Sequence, residues 1–374
     1  MCSVSGRTSA SQTTTRTRTT HLLITAVMAL GIACRTNHPP NVQWERTFQA
    51  HDTWIRRVVQ THDSGFIAAG SVTPSRGEHD VYLLKLDKSG TTQWQRSIDA
   101  GVSGYACSVS ETQDGGFVLA GGSGDSDKVT VFRVDSLGDS LWTFRDFWGA
   151  TNYTAEQTGD GGYVTGGLWS VDDSLYIVKL DTNGRAVWRR SYDEFYGHWN
   201  AHIPVRQTAD GGYIMAAEVL LKTDAFGNEV WTRSYPDVLV MFSVCEVPGG
   251  GFVATGIARA PWPKGYFKPF NMVLLKTYAN GDLDWRRVFT DGQESEGRCV
   301  RPTSDGGFVV SGSVTLDNLD HARVVRTDSH GNTLWTKTFE ARTGLQFGQQ
   351  TSDGGYITCS GDRRIWKLAP DRIR

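Results

Sequence analysis

One sequence pattern recurs seven times along the chain, and this repetition constrains the fold more than any other feature. The pattern reads Thr-x-Asp-Gly-Gly-aromatic, a short apolar stretch, a variable segment, and then apolar-Lys-Leu-Asp-x-x-Gly-x-x-x-Trp. The aromatic residue after the glycines occurs at Phe66, Phe117, Tyr163, Tyr213, Phe252, Phe308 and Tyr356. The motif tryptophan occurs at Trp44, Trp94, Trp142, Trp188, Trp231, Trp285 and Trp335. Such units bury their apolar faces by packing on their neighbours, so the pattern predicts a repeat architecture.

The tryptophan series is shifted by one repeat relative to the aromatic series. Trp44 precedes the first repeat's glycine, whereas the last repeat passes through Lys367 and ends at Arg374 without its tryptophan strand. The N-terminal segment would therefore supply the missing strand, which closes a ring and minimises exposed sheet edges. At about 48 residues per repeat, residues 42–374 match the length of propeller blades. We predict an all-β fold, a seven-bladed β-propeller of four-stranded antiparallel blades closed by the N-terminal strand.

Two turn signatures divide each repeat into strands. Asp-Gly-Gly suits a tight hairpin because glycine accepts positive φ, and Asp-x-x-Gly fits a type I turn. The motif tryptophan is predicted to pack against the neighbouring blade, since a large aromatic side chain buries much area. A repeated basic residue is predicted to pair with turn carboxylates rather than with a ligand. It occurs at Lys85, Arg133, Lys179, Lys222, Lys276, Arg326 and Lys367.

These motifs also carry a family resemblance. Over residues 42–374 the tandem motifs resemble those of exported bacterial and archaeal β-propeller repeat proteins, some of which are described as endoglucanases. They are distantly similar to the tryptophan-docking repeats of quinoprotein dehydrogenases and of the outer-membrane assembly lipoprotein BamB. The resemblance implies a propeller fold and an exported protein, and it is specific for fold rather than for activity.

The first 34 residues have the composition of an export signal. Residues 1–21 are basic and lack acids, and an apolar run of 11 residues, Leu22 to Ile32, follows; a membrane span needs about 20. The run leads into Gly-Ile-Ala-Cys at Cys34, which resembles the lipobox of bacterial lipoproteins. We predict a signal peptide with a lipobox over residues 1–34, lipidation at Cys34 and a short tether over residues 35–41. The protein would then be an outer-membrane or cell-surface lipoprotein on the periplasmic or extracellular face; the alternative is an ordinary signal peptide cleaved nearby.

Charge and motif content exclude several classes of function. Lys and Arg number 38 against 40 Asp and Glu, for a net charge of -2, whereas nucleic-acid binders carry a basic excess. The chain has no Gly-x-Ser-x-Gly, P-loop, Gly-x-Gly-x-x-Gly or His-Glu-x-x-His motif, so we predict no cofactor, no metal and no assignable catalytic residue. We expect a monomer without a nucleic-acid partner.

Four cysteines follow the leader, and none has a metal-like spacing. They are Cys107, Cys245, Cys299 and Cys359. Their places in inner strands favour small buried apolar side chains, although an even count in an exported chain also permits disulfides.

The connections that differ between repeats are where a ligand would be recognised. In a propeller both glycine-bearing turns share one face, and the fourth-to-first and second-to-third connections share the other. Aromatic platforms among hydrogen-bonding groups suit sugar rings or a peptide, whereas the alternative is that several of these aromatics pack under their own loops. The candidate binding residues are Trp54, Tyr105, Trp148, Tyr153, Trp169, Trp199, His202, Trp262, Tyr266, Glu296 and Arg298.

Two classes of function remain after these exclusions. The favoured one is an exported, lipid-anchored binding or scaffold module that engages protein or glycan through the variable loop face. The alternative is a carbohydrate-active enzyme of the endoglucanase-like glycoside hydrolase type, which would need two carboxylates about 5–10 Å apart. A quinoprotein-type redox enzyme is the third candidate.

Overall fold

The regular structure of the described residues consists of β-strands. The computed structural model describes residues 38–48, 53–73, 79–99, 104–123, 129–146, 150–169, 174–192, 203–259, 270–341 and 343–371. Within these ranges, no helix is long and apolar enough to cross a membrane.

The strands are numbered in chain order. Those of the first half are β1 (Val42–Thr47), β2 (Thr53–Gln60), β3 (Phe66–Val72), β4 (Asp80–Leu86), β5 (Thr92–Ile98), β6 (Gly104–Glu111), β7 (Phe117–Ser123), β8 (Val129–Val134), β9 (Ser140–Asp146), β10 (Ala150–Gln157), β11 (Tyr163–Trp169), β12 (Leu175–Leu180) and β13 (Ala186–Tyr192). Those of the second half are β14 (Val205–Gln207), β15 (Tyr213–Ala216), β16 (Leu220–Thr223), β17 (Glu229–Arg233), β18 (Val238–Glu246), β19 (Phe252–Arg259), β20 (Phe270–Thr277), β21 (Leu283–Phe289), β22 (Glu294–Pro302), β23 (Phe308–Leu316), β24 (Leu319–Thr327), β25 (Thr333–Phe339), β26 (Leu345–Gln350), β27 (Tyr356–Ser360) and β28 (Arg364–Leu368).

In the described part of the chain these strands form seven separate four-stranded antiparallel sheets. Blades one to six are β2–β5, β6–β9, β10–β13, β14–β17, β18–β21 and β22–β25. Blade seven consists of β26, β27 and β28 with β1 at its outer edge. The buried apolar residues lie in clusters that each combine side chains from adjacent blades. The predicted seven-bladed β-propeller of four-stranded antiparallel blades is confirmed.

Strand β1 closes the ring as the shifted tryptophan series predicts. It pairs antiparallel with β28, from Val42 opposite Leu368 to Thr47 opposite Arg364. Backbone hydrogen bonds continue beyond the strand ends: the amide of Ala369 donates to the carbonyl of residue 41 at 2.9 Å. The two ends of the chain therefore complete one sheet.

Each motif tryptophan lies in the joint between two blades. Across the seven joints that the structure describes, its ring packs on the aromatic residue after the glycines of the next blade, with centroids 5.1 to 6.1 Å apart. The ring also meets that blade's Asp-x-x-Gly turn. A Cβ added at Gly184, whose φ is +77°, would lie 2.6 Å from Trp142. The predicted packing is confirmed, and both φ and contact require glycine in this turn.

The repeated basic residues pair with turn carboxylates as predicted. Lys85 Nζ lies 2.7 Å from Asp63 Oδ2, and Arg326, whose side chain is 1% exposed, lies 2.5 Å from Asp305. Burial opposes the ionisation of Asp63, but hydrogen bonds from Lys85, from Thr61 and from a backbone amide outweigh it and lower its pKa to about 2. These pairs hold the first-to-second turn against the third strand.

Blade five departs from this arrangement and shows that the pairing is structural. Its first turn reads Val-Pro-Gly-Gly-Gly and contains no aspartate. Lys276 pairs instead with Asp284 on β21, with Nζ 2.7 Å from Oδ2. The basic residue thus keeps a carboxylate partner although its turn has lost one.

Candidate functional site

Strand order places the two kinds of connection on opposite faces of the ring. Because the strands of each blade are antiparallel neighbours, the first-to-second and third-to-fourth turns share one end of every blade. We call this end the turn face. The fourth-to-first and second-to-third connections lie at the other end, which we call the variable face.

The structure describes five of the predicted binding residues in full. These are Trp54, Tyr105, Trp169, Glu296 and Arg298. Tyr153 falls in β10, at the register shift between Asn152 and Thr154. The remaining predicted site residues lie outside the described residues: Trp148, Trp199, His202, Trp262, Tyr266 and the predicted lipidation site Cys34.

The described aromatic candidates differ in their surroundings. Trp54 is 45% exposed and follows the buried Thr53 at the variable-face end of β2. The ring of Tyr105 lies under the guanidinium group of Arg56, 5.2 Å from its carbon. Trp169 is partly buried and packs against the apolar cluster between blades two and three. Trp54 is therefore the described candidate with the most ring surface open to a partner.

Glu296 and Arg298 lie together in a cleft over blades six and seven. The cleft has a volume of about 240 Å³ and is also lined by Glu294 and Asp320. Arg298 Nη2 lies 2.5 Å from Glu296 Oε2, and its guanidinium carbon lies 4.5 Å from the Phe242 ring centroid. Three carboxylates against one guanidinium group leave the cleft with two excess negative charges. We call it the acidic cleft.

Trp54 lies near the acidic cleft, at the same end of the blades. Gly361, in the second-to-third turn of blade seven, separates them: an added Cβ there would lie 3.5 Å from the Trp54 ring and 3.1 Å from Thr343 Oγ1. Gly344, the next residue after Thr343, lines the acidic cleft. The exposed indole and the carboxylates therefore face the same side of the ring across blade seven.

A second cavity lies in the central channel, where the first strands of all seven blades meet. It has a volume of about 50 Å³, which is room for a few water molecules or one small ion. Among the described residues its wall contains five arginines and no carboxylate. The arginines are Arg56, Arg57, Arg206, Arg298 and Arg301. We call it the arginine cavity.

Two of these arginines share one aromatic ring. The guanidinium carbon of Arg57 lies 4.5 Å from the ring centroid of Phe347, and that of Arg301 lies 5.0 Å from it. Cations favour an aromatic face because of the ring quadrupole. Burial, and then the charges of Arg301 and Arg206, lower the pKa of Arg57 to about 9, so this side chain remains a cation at neutral pH.

The arginine cavity opens towards the turn face. Arg57, Arg206, Arg301 and Phe347 also line a mouth of about 530 Å³. On the opposite side, Arg298 and the neighbouring Gln346 line both the arginine cavity and the acidic cleft. The channel thus changes from acidic at the variable face to basic in its middle.

Apart from Arg298, the sequence interpretation missed the arginine cavity. The available signal was even spacing from the threonine that begins each Asp-Gly-Gly turn, because alternate residues of a strand share a face. Arg57 lies four residues before Thr61, and Arg301 lies two before Thr303. Such even offsets place both side chains on the channel face of their strands.

The four cysteines after the leader are buried and form no disulfide. This confirms the prediction of small buried side chains. Burial raises the pKa of the Cys107 thiol to about 11, so that thiol is protonated at neutral pH. No group of three or more metal-ligating side chains occurs among the residues that the structure describes.

Comparison with known proteins gives matches in fold. No family model matches this chain, and no curated protein matches it in sequence. The WD40 domain of Pan2 from Neurospora crassa is 9% identical with a TM-score of 0.61, covering 90% of this chain and 99% of that chain. Sqt1 from Chaetomium thermophilum is 13% identical with a TM-score of 0.55, covering 88% and 99%. YCF48 bound to D1 peptide is 7% identical with a TM-score of 0.56, covering 90% and 99%. These similarities are to β-propellers and extend over most of the chain.

Proposed function

We propose that this protein is a binding or scaffold module that engages an extended protein segment through its variable face. The observation that carries the proposal is the exposed side chain of Trp54 near the acidic cleft, on the same face of the ring. A large aromatic side chain beside a polar, partly enclosed cleft is typical of interface hot spots. The fold neighbour YCF48 is a propeller solved with a bound peptide, which supports a peptide-binding role for a ring of this kind.

The charge of the cleft specifies the partner further. Glu294, Glu296 and Asp320 exceed the single cation of Arg298, so the partner segment carries a Lys or Arg side chain that enters the cleft. Charge complementarity of this kind increases association rates and selects the register of the bound segment. An apolar side chain of the same segment packs on Trp54.

The turn face is less suited to this role. The carboxylates of its first-to-second turns already accept hydrogen bonds from buried lysines and arginines, as in Lys179 with Asp160 and Lys222 with Asp210. A carboxylate that is engaged within its own blade has less capacity to bind a partner. On the variable face, Glu294 is exposed and Trp54 is 45% exposed.

The proposal predicts a selective effect of Trp54→Ala on peptide binding. We expect the variant to lose about 2 kcal/mol of binding free energy, which is about thirtyfold in Kd, because the partner's apolar contact is removed. Fluorescence anisotropy would measure this with labelled peptides that alternate Lys or Arg with apolar residues. The matched control is Phe226→Ala, which removes a 69% exposed aromatic from the turn face and should leave Kd unchanged.

Two further comparisons test the identity of the partner. Peptides with Glu in place of Lys or Arg should bind the wild-type chain weakly, and Glu294→Gln should reduce the preference for basic peptides. Applying the same proteins to a glycan array tests whether the partner is instead a glycan. Saturable binding of glycans without binding of any peptide would contradict a protein partner and favour the glycan alternative.

The proposal also includes export and a lipid anchor at Cys34. Cys34→Ala is expected to move the protein from the membrane to a soluble exported fraction, because the acylated residue is lost. Membrane fractionation followed by immunoblotting measures this, and Cys2→Ala is the matched control, since it removes the other leader cysteine. Residues 35–41 span at most about 25 Å, so an anchored ring would lie close to the bilayer. Unchanged membrane association of Cys34→Ala would contradict the anchor.

A further inference from the structure

The arginine cavity brings five positive charges close together. Among the described residues near it, Arg206 has Glu156 as a partner at 3.5 Å, and Arg298 has Glu296 at 2.5 Å. Neither carboxylate lines the cavity wall. A third carboxylate, Glu111, lines the mouth of the cavity. Five arginines against these three glutamates leave two excess positive charges around a space of about 50 Å³.

Three arginines that line this cavity each have a buried guanidinium donor without a partner among the described residues. In the described part of the chain, the buried Nε atoms of Arg56, Arg57 and Arg206 have no hydrogen-bond partner. Arg301 uses Nη1 for the carbonyl of Val300 at 2.7 Å and the sulfur of Cys245 at 3.1 Å. Buried donors without acceptors are costly, and like charges repel more strongly where water is scarce.

An anion in the cavity would neutralise this charge and accept hydrogen bonds from the guanidinium groups. A guanidinium group presents N–H donors in a planar fork that matches the oxygens of phosphate and sulfate. The guanidinium groups of Arg57 and Arg301 both lie against the ring of Phe347, and this contact holds them close together. The mouth of about 530 Å³ on the turn face shares Arg57, Arg206 and Arg301 with the cavity.

The geometry points to a binding site for a small tetrahedral oxyanion, phosphate or sulfate, in the arginine cavity, with Arg57, Arg206 and Arg301 as its principal ligands. The size of the cavity favours the free ion, or the phosphate group of a small molecule whose remainder occupies the mouth. Three converging cations favour a dianion over a monocarboxylate. Arg298 lines both this cavity and the acidic cleft, but the principal ligands Arg57, Arg206 and Arg301 do not line the cleft, so loss of oxyanion binding and loss of peptide binding are distinguishable.

Titration calorimetry on the full-length chain in detergent tests the site. Sodium phosphate and sodium sulfate are titrated separately at constant ionic strength, in a buffer free of both anions. We expect saturable binding with one site per chain and a higher melting temperature with phosphate present. Arg57→Gln and Arg301→Gln should each weaken binding by about tenfold or more, because each removes a charge-assisted hydrogen-bond donor. A phosphorylated sugar, compared with inorganic phosphate, distinguishes the two sources of the oxyanion.

Three controls make the outcome decisive. Arg189→Gln removes a cation that pairs with Asp146 away from the cavity and should leave the affinity unchanged. Arg57→Lys keeps the positive charge but lacks the planar pair of guanidinium donors. This variant should fold like the wild type and bind phosphate several-fold more weakly. It therefore provides a test if a glutamine variant does not fold. Acetate should bind much more weakly than phosphate. The assignment would be overturned if phosphate and sulfate showed no saturable binding, or if acetate bound as tightly as phosphate. It would also be overturned if Arg189→Gln lost as much affinity as the cavity variants, or if Arg57→Lys kept the wild-type affinity.

Discussion

Deletion of residues 42–48 is expected to leave the protein aggregated or with a much lower melting temperature. The deletion removes β1 and leaves β28 as an unpaired edge strand, which is a template for aggregation. It also removes Trp44, whose ring lies 5.6 Å from that of Phe66 in the joint between blades seven and one. Truncating a large packed aromatic alone costs about 3–5 kcal/mol, a large part of the about 5–15 kcal/mol by which domains are stable. Circular dichroism during heating and size-exclusion chromatography measure both effects.

The control for this deletion keeps the strand and changes only its surface. Val42 is 40% exposed at the start of β1, so Val42→Thr should melt like the wild type. If the deleted protein unfolded at the wild-type temperature as a monodisperse species, the stabilising role of closure would be wrong.

Trp335→Ala is expected to lower the free energy of unfolding by about 3–5 kcal/mol. Trp335 is 3% exposed, and its ring packs edge-on against Tyr356 with centroids 5.3 Å apart. Its Nε1 also donates a hydrogen bond to Asp371 at 3.0 Å. Alanine would leave a cavity between blades six and seven and remove a donor from a carboxylate. Urea unfolding followed by tryptophan fluorescence and circular dichroism gives the free energy.

Two variants bracket this prediction. Trp335→Phe keeps an aromatic ring in the joint and should cost less than the alanine variant. Trp54→Ala removes the same side chain from a 45% exposed position and should leave the unfolding midpoint nearly unchanged. Equal destabilisation by Trp54→Ala and Trp335→Ala would contradict the distinction between joint and surface tryptophans.

Blade number, ring closure and the role of the motif tryptophans could be predicted because each follows from a short-range rule that is repeated. Glycine at positive φ marks the turns, as at Gly184, and the tryptophan follows at a constant distance in sequence. A contact between residues at equivalent places in adjacent repeats, such as Trp188 with Tyr213, recurs once the blades are stacked. Repetition converts a weak local signal into a strong one.

The arginine cavity could not be predicted in the same way. Its residues come from different repeats and occupy positions that the repeat leaves variable. In addition, the first strands shift register inside the sheet, between Ile55 and Arg57 in blade one and between Gly297 and Cys299 in blade six. A bulge interrupts the alternation of side chains between the two faces of a strand. The alternation rule therefore fails for Arg56 and Arg298, and only the closed ring brings the five guanidinium groups together.

The acidic cleft was predicted only in part, for a related reason. Glu296 and Arg298 were identified from the cluster of charged and aromatic residues in a variable connection. Asp320 was not, because it follows a type of connection whose length varies between blades. Its approach to Glu294 depends on the pairing of β22 with β23 and of β23 with β24. Three-dimensional pairing, not spacing along the chain, assembles these carboxylates.

The pairing of β1 with β28 also sets the order in which the molecule can assemble. Lys367 donates to Gln43 across 324 positions of sequence, whereas the other six blades are built from hairpins that are local in the chain. Contacts between distant residues form late, since the entropy of closing a long loop must be offset by structure that already exists. Six blades can therefore form before the seventh, and the β1–β28 seam completes the ring last. We expect a folded molecule to open first at this same seam. Amide hydrogen exchange along β28 would therefore report on the opening of the ring.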